Sequence, residues 1–314
     1  VRNASLKAVY ELASINQNVV FLGSDLGPKT LAAMKQDFPD RFFMEGISEQ
    51  HILGMAAGLA MNGFVPFVNT IASFLTRRCF ENIVVDLCMH DLPVRLIGNG
   101  AGGVYAPLGP THQAIEDIAI LRPLPNMTIL APCDAIEAQK LIEATVNWQH
   151  PIYIRLAKGG DKVITNNADI VKIGQSVLKQ KPEDILLITT GVMTQIALDV
   201  SKILAAEGIK CGVIHFSTIK PLDGDIIKTW IPKVKTVVTI EEHLRIGGLG
   251  SAILEFTNDF IPEHSVKIHR IGIDDTFAQS YGSQSSLWKS WGIDTETILK
   301  KIKAILSQKK ILND

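Results

Sequence analysis

No run of apolar residues in this 314-residue chain approaches the roughly 20 that a membrane-spanning helix requires. Neither sign of charge is in excess: 31 Lys and Arg against 32 Asp and Glu leave a formal net charge of −1. That balance excludes a strongly basic footprint for nucleic acid or an anionic membrane. Cysteine is scarce. Cys79, Cys88, Cys133 and Cys211 stand far apart with no C-x-x-C pair, which rules out a sequence-evident zinc site and suggests buried free thiols in a reducing compartment. No basic segment followed by an apolar core opens the chain, so no secretory signal is read and the cytoplasm is the expected location.

What is present is ordinary globular material, with 46% apolar and 20% charged residues and enough length for two domains with separate cores. Apolar runs alternate with amphipathic stretches, the pattern of an α/β protein whose mostly parallel sheets are flanked by helices. The first series predicts strands at Asn18–Leu22, Phe64–Val68, Val94–Ile97, Met127–Ala131 and Ile152–Leu156, with helices at Ser48–Met61, Phe74–Met89, His112–Leu121 and Asp134–Val146. The second predicts strands at Ile185–Thr189, Gly212–Phe216, Thr236–Ile240 and Ser265–Ile271, and helices at Thr194–Glu207, Gly224–Trp230, Gly248–Phe260 and Thr295–Leu306. Gly159-Gly160, Asn166-Asn167 and several lysines interrupt the rhythm over 157–181. Two consecutive domains are therefore expected, at 1–160 and 175–314.

Chemistry-bearing residues concentrate between Met44 and Asp134. Ser48 reads as an N-cap, placing Glu49 in the first turn of a helix whose apolar stripe is Ile52, Met55, Ala56 and Leu59. Alone, such an acid merely complements the helix dipole. Yet Gly54, Ala56, Ala57, Gly58 and Ala60 make this helix unusually small, at a cost of about 1 kcal/mol for each glycine. That composition points to close approach by another backbone, where a shielded carboxylate bonds more strongly. Further on, Gly98-Asn-Gly-Ala-Gly-Gly103 satisfies G-x-G-x-x-G, but Pro107 and Pro110 follow instead of a helix. A dinucleotide site is therefore rejected in favour of a flexible loop at the C-terminal edge of a parallel strand. Thr111 is placed as the cap of the next helix, with His112 at its start and suited to proton transfer near neutral pH.

Met44–Met61 with Gly46-Ile-Ser-Glu-Gln-His51, the following Gly63-Phe-Val-Pro66, Phe74 in Ser73-Phe-Leu-Thr-Arg77, and Gly109-Pro-Thr-His-Gln113 together resemble the pyrimidine-binding domain of the transketolase family. Ile219-Lys-Pro-Leu-Asp223 and Glu241-Glu-His-Leu-Arg-Ile-Gly-Gly248 resemble its C-terminal domain, so the resemblance covers nearly the whole chain. It implies that Glu49 hydrogen-bonds the aminopyrimidine of thiamine diphosphate, that Phe74 stacks on that ring, and that His112 acts as a general acid/base. Asp25 and Arg77 are implied at the cofactor site, although a turn residue and a solvated basic face remain open readings. Arg155 matches a phosphate-gripping arginine of the family, Lys29 stands in place of a phosphate-binding hydroxyl residue, and Asn99 and Tyr105 are offered as substrate contacts. Glu242 and His243 are assigned structural roles.

Two features depart from the family pattern. Leu108 stands where an aspartate usually binds a sugar hydroxyl, four residues before the histidine, a change that can shift discrimination by orders of magnitude. The Gly-Asp-Gly segment with a later Asn, which holds the diphosphate and Mg²⁺ in this family, is not found. The metal's oxygen ligands are thus expected from an N-terminal diphosphate-binding subunit, in an α2β2 assembly. The function implied is the C-terminal (β) subunit of a split transketolase that transfers a two-carbon ketol unit between sugar-like carbonyl compounds. The alternatives are the β subunit of a 2-oxo acid dehydrogenase E1 component and a deoxyxylulose-phosphate-synthase-like carboligase.

Overall fold

The computed structural model describes residues 1–26, 29–157, 161–263 and 266–313, without the side chains of 309–313. In the first region the elements are α1 (Arg2–Ile15), β1 (Val19–Gly23), α2 (Ala32–Asp37), β2 (Phe42–Met44), α3 (Glu49–Met61), β3 (Val65–Ile71), α4 (Phe80–Asn82), β4 (Arg95–Asn99), α5 (Asp117–Leu121), β5 (Thr128–Leu130), α6 (Ala135–Thr145) and β6 (Ile152–Leu156). The second contains β7 (Val177–Gln180), β8 (Ile185–Thr189), α7 (Met193–Ala206), β9 (Cys211–His215), β10 (Thr218–Lys220), α8 (Gly224–Trp230), β11 (Thr236–Leu244), α9 (Leu249–Phe260), β12 (Lys267–Ile273), α10 (Gln284–Trp291) and α11 (Thr295–Asn313).

Continuous apolar runs become strands covered on both faces, as parallel sheets require. Alternation does the sorting. Val19 and Phe21 of β1 pack with Leu6, Val9 and Leu141 of α1 and α6, while Val20 and Leu22 pack with Ile52, Leu53, Leu75 and Ile83 on the opposite face. The second sheet repeats the device: Ile185 and Leu187 face one core, Leu186 and Ile188 the other. Strand order is β10-β5-β6-β4-β3-β1-β2 in the first sheet and β12-β11-β8-β9-β7 in the second. All pairs are parallel except β10 with β5 and β7 with β9. The architecture is therefore the expected one, two mostly parallel sheets flanked by helices.

β10 comes from the second half of the chain yet extends the first sheet, so the two halves share a hydrogen-bonded seam. β7 lies inside the stretch read as a break and joins the second sheet as its antiparallel edge. Within the described residues no helix is long and apolar enough to cross a membrane. Gly159 and Gly160 of the expected break, and Ser265 of an expected strand, lie outside the described residues.

Three expectations about helices are corrected. Ser48 holds the N-cap position of α3 but its side chain makes no capping bond; the hydroxyl donates to the Glu45 carbonyl at 2.7 Å. The stretch 74–89 is not one α-helix but two π-helical turns, Phe74–Arg78 and Ile83–Cys88, around short α4. The helix expected from His112 begins only at Asp117. There Pro110–His112 form a separate short turn, Gln113 is extended, and Ala114 bridges to Ala101 and Gly102.

Candidate active site

The carboxyl ends of β1, β3 and β4 bring Asp25, Thr70 and Asn99 to one edge of the first sheet, the edge at which open α/β folds bind ligands. A hydrogen-bonded chain runs along it. Ser24 Oγ donates to Asp25 Oδ1 at 3.1 Å and lies 3.0 Å from Thr70 Oγ1. The Asn99 amide donates to the Asn69 side-chain oxygen at 2.5 Å and to the Thr70 carbonyl at 3.2 Å. Asn99 is buried, its amide hydrogens are engaged within the protein, and its Oδ1 has no partner among the described residues.

Glu49 sits in the first turn of α3, 2% exposed. Arg78 Nη1 donates to its Oε2 at 2.6 Å, and no hydrogen bond to Oε1 occurs among the described residues. The Arg78 guanidinium also lies 4.9 Å from the centroid of the Phe74 ring, a cation–π contact. Phe74 in turn meets the His112 ring edge-on, centroid to centroid 4.9 Å at 63°. Glu49, Phe74 and His112, from three sequence segments, are thus linked through Arg78 and the Phe74 ring.

Arg77 does not join them. Its guanidinium pairs with Glu116 and donates to the Gln113 carbonyl at 2.8 Å. An α-turn would leave residues 77 and 78 both near residue 74, but the wider i→i+5 turn here carries Arg77 aside and leaves Arg78 over the ring. Arg78, unassigned beside Arg77 in the sequence, is the side chain that reaches Glu49 and the Phe74 ring. The only signal for it was the Arg77-Arg78 pair itself. Behind this turn, burial, with the Glu49 charge adding to it, pushes the Cys79 thiol up to about 12 and keeps it inert.

The loop after β4 is anchored rather than flexible. Gly100 and Ala101 N–H donate to the Leu156 carbonyl at 2.9 and 3.1 Å, and Gly102 N–H to the Ala114 carbonyl at 2.8 Å. Gly100 has φ +74°, and the Tyr105 ring fills the space a Cβ would take, so only glycine fits. Tyr105 thereby folds back toward His112, with 6.5 Å between ring centroids, and burial raises its phenol pKa. Thr111 Oγ1 lies 3.0 Å from His112 Nδ1 instead of capping a helix. Nε2 is left as the ring nitrogen without a hydrogen bond among the described residues.

Arg155 is not presented to a ligand. It is buried in β6, donating from Nε to Asp117 at 2.8 Å and from Nη2 to the carbonyls of Ala114 and Glu242 at 3.1 and 2.9 Å. The phosphate role expected of Arg155 is therefore withdrawn, because the side chain is buried and its Nε and Nη2 donors are taken by internal acceptors. Lys29 is exposed and has no side-chain hydrogen bond or ion pair among the described residues. Asp25 is exposed, and Gly27 and Pro28 beside it lie outside the described residues.

The one Cys/His/Glu cluster among the described residues, Cys133, Glu137 and His215, lies elsewhere and is fully buried. His215 Nε2 stands 2.8 Å from Glu137 Oε2, and Thr194 Oγ1 holds Nδ1 at 2.7 Å. This buried hydrogen-bond network fastens the two halves of the chain, with Glu137 Oε1 left without a partner among the described residues. The four cysteines are free and buried.

The residues present suit the ring half of thiamine diphosphate: a buried carboxylate with one open oxygen, a half-buried aromatic ring, and an imidazole beside it. Ser73 Oγ, Asn99 Oδ1 and both side-chain polar atoms of Gln113, in the same segments, are among the buried polar atoms without partners.

Comparison with known proteins agrees with this geometry. The transketolase pyrimidine-binding domain model matches residues 1–160, and the transketolase C-terminal domain model matches 174–298. A putative transketolase C-terminal section from Methanocaldococcus jannaschii is 36% identical over 302 residues, covering 94% of this chain and 93% of that protein. The 1-deoxy-D-xylulose-5-phosphate synthase of Dictyoglomus turgidum is also 36% identical, over 97% of this chain but 49% of its own, so the chain spans about half the length of that relative. Among solved structures, a split-gene transketolase described as an inactive beta4 tetramer superposes with a TM-score of 0.89 at 33% identity, covering 98% of each chain. A Campylobacter jejuni transketolase shares the fold at TM-score 0.79 and 18% identity, this chain covering 46% of it. With both domain models matched along its length, the chain belongs to the transketolase family, as a pyrimidine-binding domain followed by the family's C-terminal domain.

Proposed function

We propose that this chain is the C-terminal, or β, subunit of a split thiamine diphosphate-dependent transketolase that moves a two-carbon ketol unit between sugar or sugar-phosphate carbonyl compounds. The observation that carries the reading is the convergence of Glu49, Phe74 and His112, with no diphosphate-holding motif among these 314 residues. Mg²⁺ and the diphosphate would be held by a separate N-terminal subunit, in an α2β2 assembly. Support comes from the relative that is itself called a C-terminal section and from the split-gene transketolase whose β tetramer is inactive.

When bound, the cofactor supplies a carbon that adds to a carbonyl and an electron sink for the charge left behind. The protein's part is proton handling and orientation. Arg78 holds Glu49 Oε2 and so fixes the carboxylate, leaving Oε1 as the oxygen that would accept a hydrogen bond from the cofactor's ring. Phe74 sets the ring plane. His112 Nε2 exchanges a proton with the substrate oxygen, and Thr111 fixes the imidazole through Nδ1. Gly54 and Gly58 have nothing within 4 Å of the space beyond their Cα atoms, which leaves that face of α3 open for a partner backbone.

Leu108, 51% exposed, offers no hydrogen bond to a sugar hydroxyl, so the preferred substrate differs from one selected by an aspartate at that position. Reconstitution with the diphosphate-binding subunit tests the proposal. Two-carbon transfer from a ketose phosphate is expected, whereas decarboxylation of a 2-oxo acid with transfer to a lipoyl group, or condensation of pyruvate with an aldose phosphate, would replace it.

A further inference from the structure

We infer that Glu242, in the C-terminal domain, is a positioning residue for the loop that carries Tyr105 and His112. That domain would then take part in organising the substrate side of the site. The inference deepens the proposed function and rests on it for its kinetic arm only.

Glu242 lies on β11, is 3% exposed, and accepts hydrogen bonds from both domains. From the first domain, the Gly103 N–H donates to Oε1 at 2.9 Å. From the second, Trp288 Nε1 donates to Oε1 at 2.6 Å, and Gln284 Nε2 to Oε1 and Oε2 at 2.9 and 3.1 Å. An ionised carboxylate is an acceptor only, with room for about four such bonds, and here each donor is satisfied. Its backbone carbonyl receives Arg155 Nη2 at 2.9 Å, which ties the same strand to Asp117.

The loop is shaped around this side chain. Gly102 has φ +65°, and an added Cβ would stand 2.4 Å from the Glu242 carboxyl carbon. At Gly103 it would meet the Trp291 ring at 2.9 Å, and at Gly109 the Tyr281 ring at 2.6 Å. Every added Cβ at these loop glycines would therefore run into a side chain of the C-terminal domain. No comparable contact ties Glu49 or Phe74 to that domain among the described residues, so the cofactor-ring residues and the substrate loop are held by different supports. The geometry separates cofactor binding from substrate positioning, and this separation gives the test.

Glu242→Ala removes the acceptor, whereas Glu242→Gln keeps an acceptor oxygen for Gly103 and Trp288, with Gln284 free to turn its amide. In the purified chain, hydrogen exchange followed by mass spectrometry should show faster exchange confined to peptides spanning 100–113 in Glu242→Ala, with near-native protection in Glu242→Gln. In the complex with the diphosphate-binding subunit, Glu242→Ala should lower kcat/KM by on the order of tenfold or more, as small misplacements of reacting groups do. Cofactor affinity should stay unchanged, and Glu242→Gln should restore most of the turnover. Unchanged exchange over 100–113, exchange raised uniformly across both domains, or cofactor affinity falling in parallel with turnover would each overturn the inference. A complex of the unaltered chain without thiamine-dependent turnover would count against the proposed function and leave the exchange result to judge the anchoring role.

Discussion

Replacing Asp117 by Ala tests the electrostatic joint beneath the site. Asp117 is fully buried, and its Oδ2 accepts Arg155 Nε at 2.8 Å and the Tyr153 hydroxyl at 2.7 Å. The Arg155 side chain is 7% exposed, so little water can replace the lost carboxylate. Burial, with the Asp117 charge next, raises the Tyr153 phenol far above its ordinary pKa, so it stays a donor in need of an acceptor. Breaking one partner out of a buried ion pair costs about 3–5 kcal/mol, and an orphaned buried hydroxyl about 1–3 kcal/mol. Because the two losses share one carboxylate, about 4–6 kcal/mol is the expected total, read as a fall in the urea midpoint at unchanged m. Removing both charges, as Asp117→Ala with Arg155→Met, should recover part of that loss, since buried pairs exchanged for apolar groups are often neutral. A single variant costing under about 1 kcal/mol, or a double variant as unstable as the sum of the singles, would refute the view that Arg155 is an internal strut committed to Asp117.

Arg78→Met should weaken cofactor retention in the assembled enzyme and cost roughly 1–2 kcal/mol of stability, less than a fully buried pair because Arg78 is half exposed. Arg77→Met should spare cofactor affinity and act on the loop at Gln113, and calorimetric titration separates the two. Burial pushes the Glu241 carboxyl up to about 7. The folded protein therefore holds a proton that the unfolded chain releases near 4.5, and stability should decline by about 3 kcal/mol as pH rises from about 4.5 to about 7 and level off above. Glu241→Gln should flatten that decline in denaturation curves taken across this range. Gly100→Ala, at φ +74° and in collision with the Tyr105 ring, should impair turnover sharply while leaving the far-ultraviolet spectrum unchanged.

Much of this was legible because the signals are local. Ile152–Leu156, Ile185–Thr189 and Gly224–Trp230 were bounded correctly from apolar runs and turn residues alone. Glu49, Phe74 and His112 stood out through the resemblance of their segments to the transketolase family. What escaped depends on distant partners or on the size of a helical turn. Apolar periodicity over 74–89 indicates a helix but not a π-helical one, in which Arg77 turns aside to Glu116 and Arg78 alone stays with Glu49. Arg155 looked like an anion ligand because Asp117, its partner, is 38 positions away. The bland reading of Glu242 had no view of Gly103, 139 positions earlier. α1 passed unnoticed because it has no side-chain cap, no acid in its first turn and no base in its last. β7 and β10 are short strands whose pairings are non-local.

The central claim is that this chain supplies one half of a cofactor site whose other half belongs to another polypeptide. Titration calorimetry of thiamine diphosphate with Mg²⁺ into this chain, into the diphosphate-binding subunit and into their mixture tests it most directly. Tight, saturable binding is expected only in the mixture, and Glu49→Gln should abolish most of the mixture's turnover. Tight binding to this chain alone, or full turnover of the Glu49→Gln complex, would contradict it.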